Sequence, residues 1–190
     1  TTTIRPATVC GYSPRQRLDV VVNILTNLAY HKREISIFGG DQLRPNIHIA
    51  DMVEAYMVLL RAPKEKIAGQ IFNAGYENQS VKDIAEIVKN TVGSDVKLIT
   101  TPTDDNRSYH ISSNKIKTEL GFVAKHTIKD AVEGLCEAFD KKLSGLKWIT
   151  ALYPDDPKKE ILQLNREKIK LSDQHRGIKD MRHLPSALFV

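Results

Sequence analysis

Apolar residues recur along this chain with two periods, every second residue in some stretches and every third or fourth in others. Each change of period marks an element. Ile35 and Ile37 alternate with Glu34 and Ser36, which predicts a half-buried strand. Gly39 and Gly40 follow, and both tolerate positive φ, so the chain can reverse there. Ile47 and Ile49 restore the alternation. Asp51 then opens a helical stretch with Met52, Val53, Tyr56, Leu59 and Leu60 that ends near Pro63. Upstream, the β-branched run Thr1 to Val9 reads as a strand with Pro6 inside it. Val21, Ile24, Leu25 and Leu28 predict a helix from about Arg17 to Lys32.

The two periods keep trading places downstream. Gly69 to Gly75 reads as a strand stopping at a turn. Ser80 to Asp83 is a capping-box pattern opening a helix with Ile84, Ile87, Val88 and Val92 on one face, and Gly93 stops it. Val96, Leu98 and Thr100 alternate as a strand. Ser112 to Ile116 begins a helix that ends at Leu120-Gly121-Phe122. Thr127 to Asp130 is a second capping box, followed by an amphipathic helix to about Leu143. Gly145 to Pro157 reads as a loop and Lys158 to Lys170 as a partly periodic helix. The last twenty residues carry no assignable pattern.

Composition narrows the class. With 190 residues, 41% hydrophobic and 27% charged, the chain can build one domain with a core. No apolar run reaches the roughly 18–20 residues of a membrane span. Cys10 and Cys136 lack metal-ligand spacing and make no disulfide framework, which points to a reducing compartment, the cytoplasm. The net charge of +5 sits at one end. Residues 1–140 hold 17 Lys+Arg against 17 Asp+Glu, and residues 141–190 hold 11 against 6. A basic segment can serve nucleic acid, but without interleaved aromatics it more often marks a solvated helix face.

Candidate chemistry centres on arginines. Arg44 precedes Pro45, which biases it to an extended conformation between two apolar strands, where it can fork onto a phosphate or carboxylate or simply face solvent. Arg15 and Arg17 fall near the start of the predicted first helix, where the dipole disfavours cations. Facing an anionic ligand would resolve that conflict, and so would pointing into water. Arg107 follows Asp104 and Asp105, which can pair with it or leave it to a ligand. His48, between Ile47 and Ile49, reads as a packed strand residue. No H-x-x-x-H, zinc spacing or G-x-S-x-G occurs.

These residues carry a resemblance. Gly39, Gly40, Gln42, Arg44, Ile47, His48, Ile49 and Asp51 are in register with G-x-G/D-x-Q-x-R-x-[FY]-[IV]-H-[IV]-x-D of the extended short-chain dehydrogenases/reductases, the NAD-dependent sugar-nucleotide epimerases and dehydratases. Arg5, Pro6, Ala7, Thr8, Val9 and Gly11 resemble their L-R-P-x-x-V-Y-G-P, with Cys10 in the tyrosine place and Thr8 where Asn often stands. Asn73 and Gly75 keep their places in G-x-x-[FY]-N-[IVL]-G. Arg107 to Phe122 is similar to the motif that ends L-G-[FWY]. The resemblance covers roughly residues 1–140 and fades beyond.

The resemblance implies an α/β fold, the C-terminal part of a Rossmann-type enzyme with a small substrate-binding lobe over 1–143, and an unassigned basic extension over 144–190. It implies that Arg44 and Arg107 contact the diphosphate of a nucleoside-diphosphate sugar and that Arg15 and Arg17 help recruit it. Thr8 and Asn73 would lie near the substrate, and Pro6 and Ala7 near the NAD cofactor. It also implies a homodimer in the complete enzyme. That chemistry needs a Gly-rich turn for the pyrophosphate and a Tyr with Lys four residues later as base. Neither pattern is in the sequence: after Tyr30, for example, come His31, Lys32, Arg33 and Glu34. The expectation is therefore a substrate-binding half, completed by an N-terminal Rossmann half in cis or in trans and inactive alone. The alternatives are a catalytically inactive nucleotide-sugar-binding or regulatory module and, third, nucleic-acid binding through the basic tail.

Overall fold

A computed structural model describes residues 1–14, 17–103 and 107–141. All of these lie in the first of two units, Thr1–Leu146 and Lys147–Val190. The helix expected over 158–170 and the 144–190 extension lie outside the described residues.

In chain order the elements are β1 (Thr3–Pro6), β2 (Thr8–Cys10), α1 (Val21–Lys32), β3 (Glu34–Phe38), β4 (Leu43–His48) and α2 (Ile49–Arg61). There follow α3 (Lys64–Ile67), β5 (Ile71–Ala74), β6 (Glu77–Ser80), α4 (Val81–Val92), β7 (Lys97–Thr101), α5 (Asn114–Leu120) and α6 (Ile128–Asp140). Among the described residues the strands form three small sheets. β1 runs parallel to β5, β3 parallel to β7, and β4 is flanked by parallel β2 and antiparallel β6. Parallel neighbours need a crossover, and helices supply it. The α/β class read from the sequence is the class observed.

Two cores form. One gathers Val22, Leu25, Ile35, Ile37, Ile84, Val88 and Val132 from α1, β3, α4 and α6. The other joins α2 and α5 to β5 through Met52, Ala55, Leu59, Phe72, Ile116 and Phe122. Burying each large apolar side chain contributes roughly 1.5–3 kcal/mol. The helix expected from Arg17 begins only at Val21. Asn23, itself buried, uses its side chain on two upstream groups: Nδ2 donates to the Arg17 carbonyl at 2.7 Å and Oδ1 accepts from the Gly11 amide at 3.0 Å. These bonds hold residues 17–20 in a non-helical entry.

Both capping signals are used. The Ser80 hydroxyl accepts from the Asp83 amide at 3.1 Å. Thr127 and Asp130 make the full reciprocal box, at 3.3 Å from the Asp130 amide to the Thr127 hydroxyl and 2.6 Å from the Thr127 amide to the Asp130 carboxylate. Thr127→Ala is expected to destabilise the fold by about 1 kcal/mol, seen as a melting temperature roughly 4 °C lower. An unchanged melting temperature would mean that α6 is fixed by packing alone.

Candidate functional site

The turn before Arg44 is built by Gln42. Its Oε1 accepts from the Gly40 amide at 2.7 Å and its Nε2 donates to the Phe38 carbonyl at 2.6 Å. Gly39 has φ +75°, and a Cβ there would lie 2.5 Å from the Thr103 methyl, so the turn needs glycine for both conformation and space. β4 leaves this turn with Leu43 opposite Ser80, Arg44 opposite Gln79 and Pro45 opposite Asn78 on β6.

Arg107 belongs to an irregular segment that crosses the start of β4. The Leu43 amide donates to the Ser108 hydroxyl at 2.9 Å, and the Tyr109 amide reaches the Leu43 carbonyl at 3.5 Å. Arg44 Nη1 donates to the Arg107 carbonyl and, at 3.1 Å, to the Leu43 carbonyl. Its guanidinium also lies 5.7 Å from the centre of the exposed Tyr109 ring, within cation–π range. The structure thus brings the Arg44 guanidinium onto the Arg107 backbone, from segments 63 residues apart. A groove of about 340 Å³ is lined, among others, by Tyr76, Asn78, Ile111, Ser112 and Lys117.

The other expected site residues are placed separately. Arg17 is exposed and forks onto Asp19, at 2.9 Å through Nε and 2.5 Å through Nη2. That pair holds the Asp19 carboxyl below its usual range. Arg15 lies outside the described residues. Thr8 stands opposite Asn46 on the neighbouring strand, and Asn73 Nδ2 approaches the Ser112 carbonyl at 3.4 Å. Pro6 has no N–H, and the Ala7 amide is already donated to the Ala74 carbonyl at 2.7 Å. These two residues therefore offer a cofactor apolar contact and no pyrophosphate donor.

Sequence reasoning missed a cluster around Asp51, a carboxylate only 3% exposed. One oxygen accepts from the Lys125 and His126 amides at 3.0 and 2.8 Å, and the other lies 2.8 Å from His126 Nδ1. The His126 ring stacks on His48 at 4.8 Å between centres. His48 is half-buried at the end of β4, and its Nδ1 accepts from the Ala50 amide at 3.1 Å, capping α2. Burial first, and then His126, push the His48 pKa below the usual imidazole range, which favours the neutral ring this cap requires. The only sequence signal was Asp51 itself, an acid in a helical first turn. Its partners lie about 75 residues away.

The stretch that builds β1 to β5 and α1 to α3 matches a family model. Residues 1–75 match the model of the NAD dependent epimerase/dehydratase family. Over that stretch the chain is similar to the family. The segment's α/β fold is that of Rossmann-type epimerases. UDP-glucose 4-epimerase of Thermotoga maritima, solved with UDP-glucose, is similar at a TM-score of 0.63 and 26% identity, over 74% of this chain and 46% of that one. A putative UDP-arabinose 4-epimerase 2 of Arabidopsis thaliana is 30% identical over 112 residues, 57% of this chain and 27% of that protein. Small ribosomal subunit protein uS2 of Borrelia hermsii is 34% identical over 122 residues, 59% of this chain and 46% of that protein. The chain spans less than half the length of these relatives. Among the described residues no helix is long and apolar enough to cross a membrane.

Proposed function

We propose that this chain is the substrate-binding part of an NAD-dependent sugar-nucleotide epimerase or dehydratase, holding the diphosphate of a nucleoside-diphosphate sugar at Arg44 and Arg107. The observation that carries the reading is the Arg44 guanidinium meeting the Arg107 backbone at the strap over β4, with Arg44 in the stretch that matches the family model. Charge-assisted N–H···O bonds from arginine to phosphate oxygens are about twice as strong as neutral ones, and the planar fork fits two oxygens at once. Asn73 and Thr8 line the approach. Arg15 and Arg17 serve recruitment, Arg17 exchanging Asp19 for the ligand.

NAD, with the hydride chemistry it supplies, would be held by a Rossmann half beyond these residues, along with the Tyr and Lys of the catalytic base. A homodimer in the cytoplasm completes the picture. Two features of the fold support a docked half. β1–β5 is a parallel sheet of two strands among the described residues, and parallel sheets are ordinarily larger and covered on both faces. Helix α2 buries Met52, Ala55 and Leu59, yet exposes Val53, Tyr56 and Leu60 on another face.

The test is calorimetric titration of the chain with UDP-, dTDP- and GDP-sugars beside Arg44→Ala and Arg107→Ala. Binding weakened by both substitutions supports the reading and names the nucleotide. Turnover after a cognate Rossmann half is added in trans separates it from an inactive binding module. A folded chain that binds no nucleotide sugar, with or without that half, overturns it.

A second reading has one observation in its favour, the likeness to ribosomal protein uS2 together with the basic surplus of residues 141–190. In this reading the basic segment docks the chain on the small ribosomal subunit. Deleting residues 141–190 is then expected to abolish co-sedimentation with small subunits at low salt. A full-length chain that never co-sediments removes the reading.

A further inference from the structure

The segment that carries Arg107 has no regular secondary structure from Arg107 to Ser113, yet both Arg44 and the groove depend on where it lies. Its position comes from side chains that join it to β4, to β6 and to Gly75 just after β5. At one end the Ser108 hydroxyl takes the Leu43 amide. At the other the Ser113 hydroxyl accepts from the Gly75 amide at 2.7 Å and donates to the Gly75 carbonyl at 2.8 Å. Between them stands Asn78 of β6.

The Asn78 side chain makes two bonds to a single residue. Its Oδ1 accepts from the Ile111 amide at 2.9 Å and its Nδ2 donates to the Ile111 carbonyl at 3.1 Å. This is the pattern of a β-bridge with a primary amide in place of one strand. The orientation follows from the partners, because the flipped amide would set donor against donor and acceptor against acceptor. Asn78 stands opposite Pro45, the residue after Arg44, so the clasp ties the segment next to that arginine. Tyr109, whose ring underlies the Arg44 guanidinium, lies between the clasp and Arg107.

We propose that Asn78 is a positioning residue. Its amide clasps Ile111, holds the strap Arg107–Ile111 across β4, and so fixes Arg107 beside Arg44 for one shared anionic ligand. The proposal rests on the diphosphate reading above. Asn78 acts through the strap.

The test uses the full chain and two readouts. Asn78 is exposed, so Asn78→Ala is expected to fold with an unchanged melting temperature. Amide hydrogen exchange is expected to quicken over residues 107–112 and to stay unchanged in α6. For UDP, Asn78→Ala is expected to weaken binding about fivefold, the effect of roughly one net hydrogen bond. In an Arg107→Ala background it should cost nothing further, because the residue it positions is gone. Equal losses in both backgrounds, or unchanged exchange over the strap, overturn the proposal. If the unsubstituted chain binds no UDP, the diphosphate reading falls and the positioning role with it. The exchange result then still shows whether the clasp itself exists.

Discussion

Asp51→Ala is expected to lower the stability of the folded domain by about 3 kcal/mol, the sum of two backbone donors left without an acceptor and the space vacated. Asp51 is buried, and the Lys125 and His126 amides both donate to it. It also sits in the first turn of α2, where a carboxylate complements the helix dipole. Burying a charge is costly in itself, so the loss on removal measures what is left unpaired, not the net worth of the cluster. Asp51→Asn keeps an acceptor oxygen in place and should lose less, about 1–2 kcal/mol. Urea unfolding reads both values. An Ala variant within about 0.5 kcal/mol of the parent would mean that water replaces the carboxylate at those amides.

Arg44→Ala is expected to weaken binding of a UDP-sugar by about 2.5 kcal/mol, roughly 70-fold, the range for hydrogen bonds to a charged group. Arg44→Lys keeps the charge but loses the fork and should recover only part of the affinity. The guanidinium also bonds the Arg107 carbonyl, so its loss loosens the strap as well as the ligand. The effects of Arg44→Ala and Arg107→Ala should therefore sum to more than the double variant shows. Strict additivity in isothermal titration would separate the two residues and dissolve the shared site.

How far the site was legible in the sequence differs residue by residue. Arg44 was legible because its setting is local: a glycine turn before it, a proline after it and apolar strands on both sides. The Gln42 side chain that builds the turn is two residues from the amide it caps. Arg107 was a candidate from its place after Asp104 and Asp105 and from resemblance, but its placement was not legible, because the strap is held by Ser108, Asn78 and Ser113 across 65, 33 and 38 residues. The late start of α1 was hidden for a related reason. Residues 17–20 suit a helix by apolar spacing, but Asn23 bonds back to Arg17 and Gly11 and its side chain wins locally.

The sequence by itself determined the elements and their class. Period, caps and glycine stops act within about four residues, so β3, α2, α4, α5 and α6 all fall near where the pattern puts them. Tertiary structure alone decided which of those elements meet. Asp51 found His126, His48 found a stacking partner and Asn78 found Ile111 only once the chain had closed around its two cores. Hydrogen bonds of that kind depend on the position and direction of groups far apart in sequence, and no local periodicity encodes either.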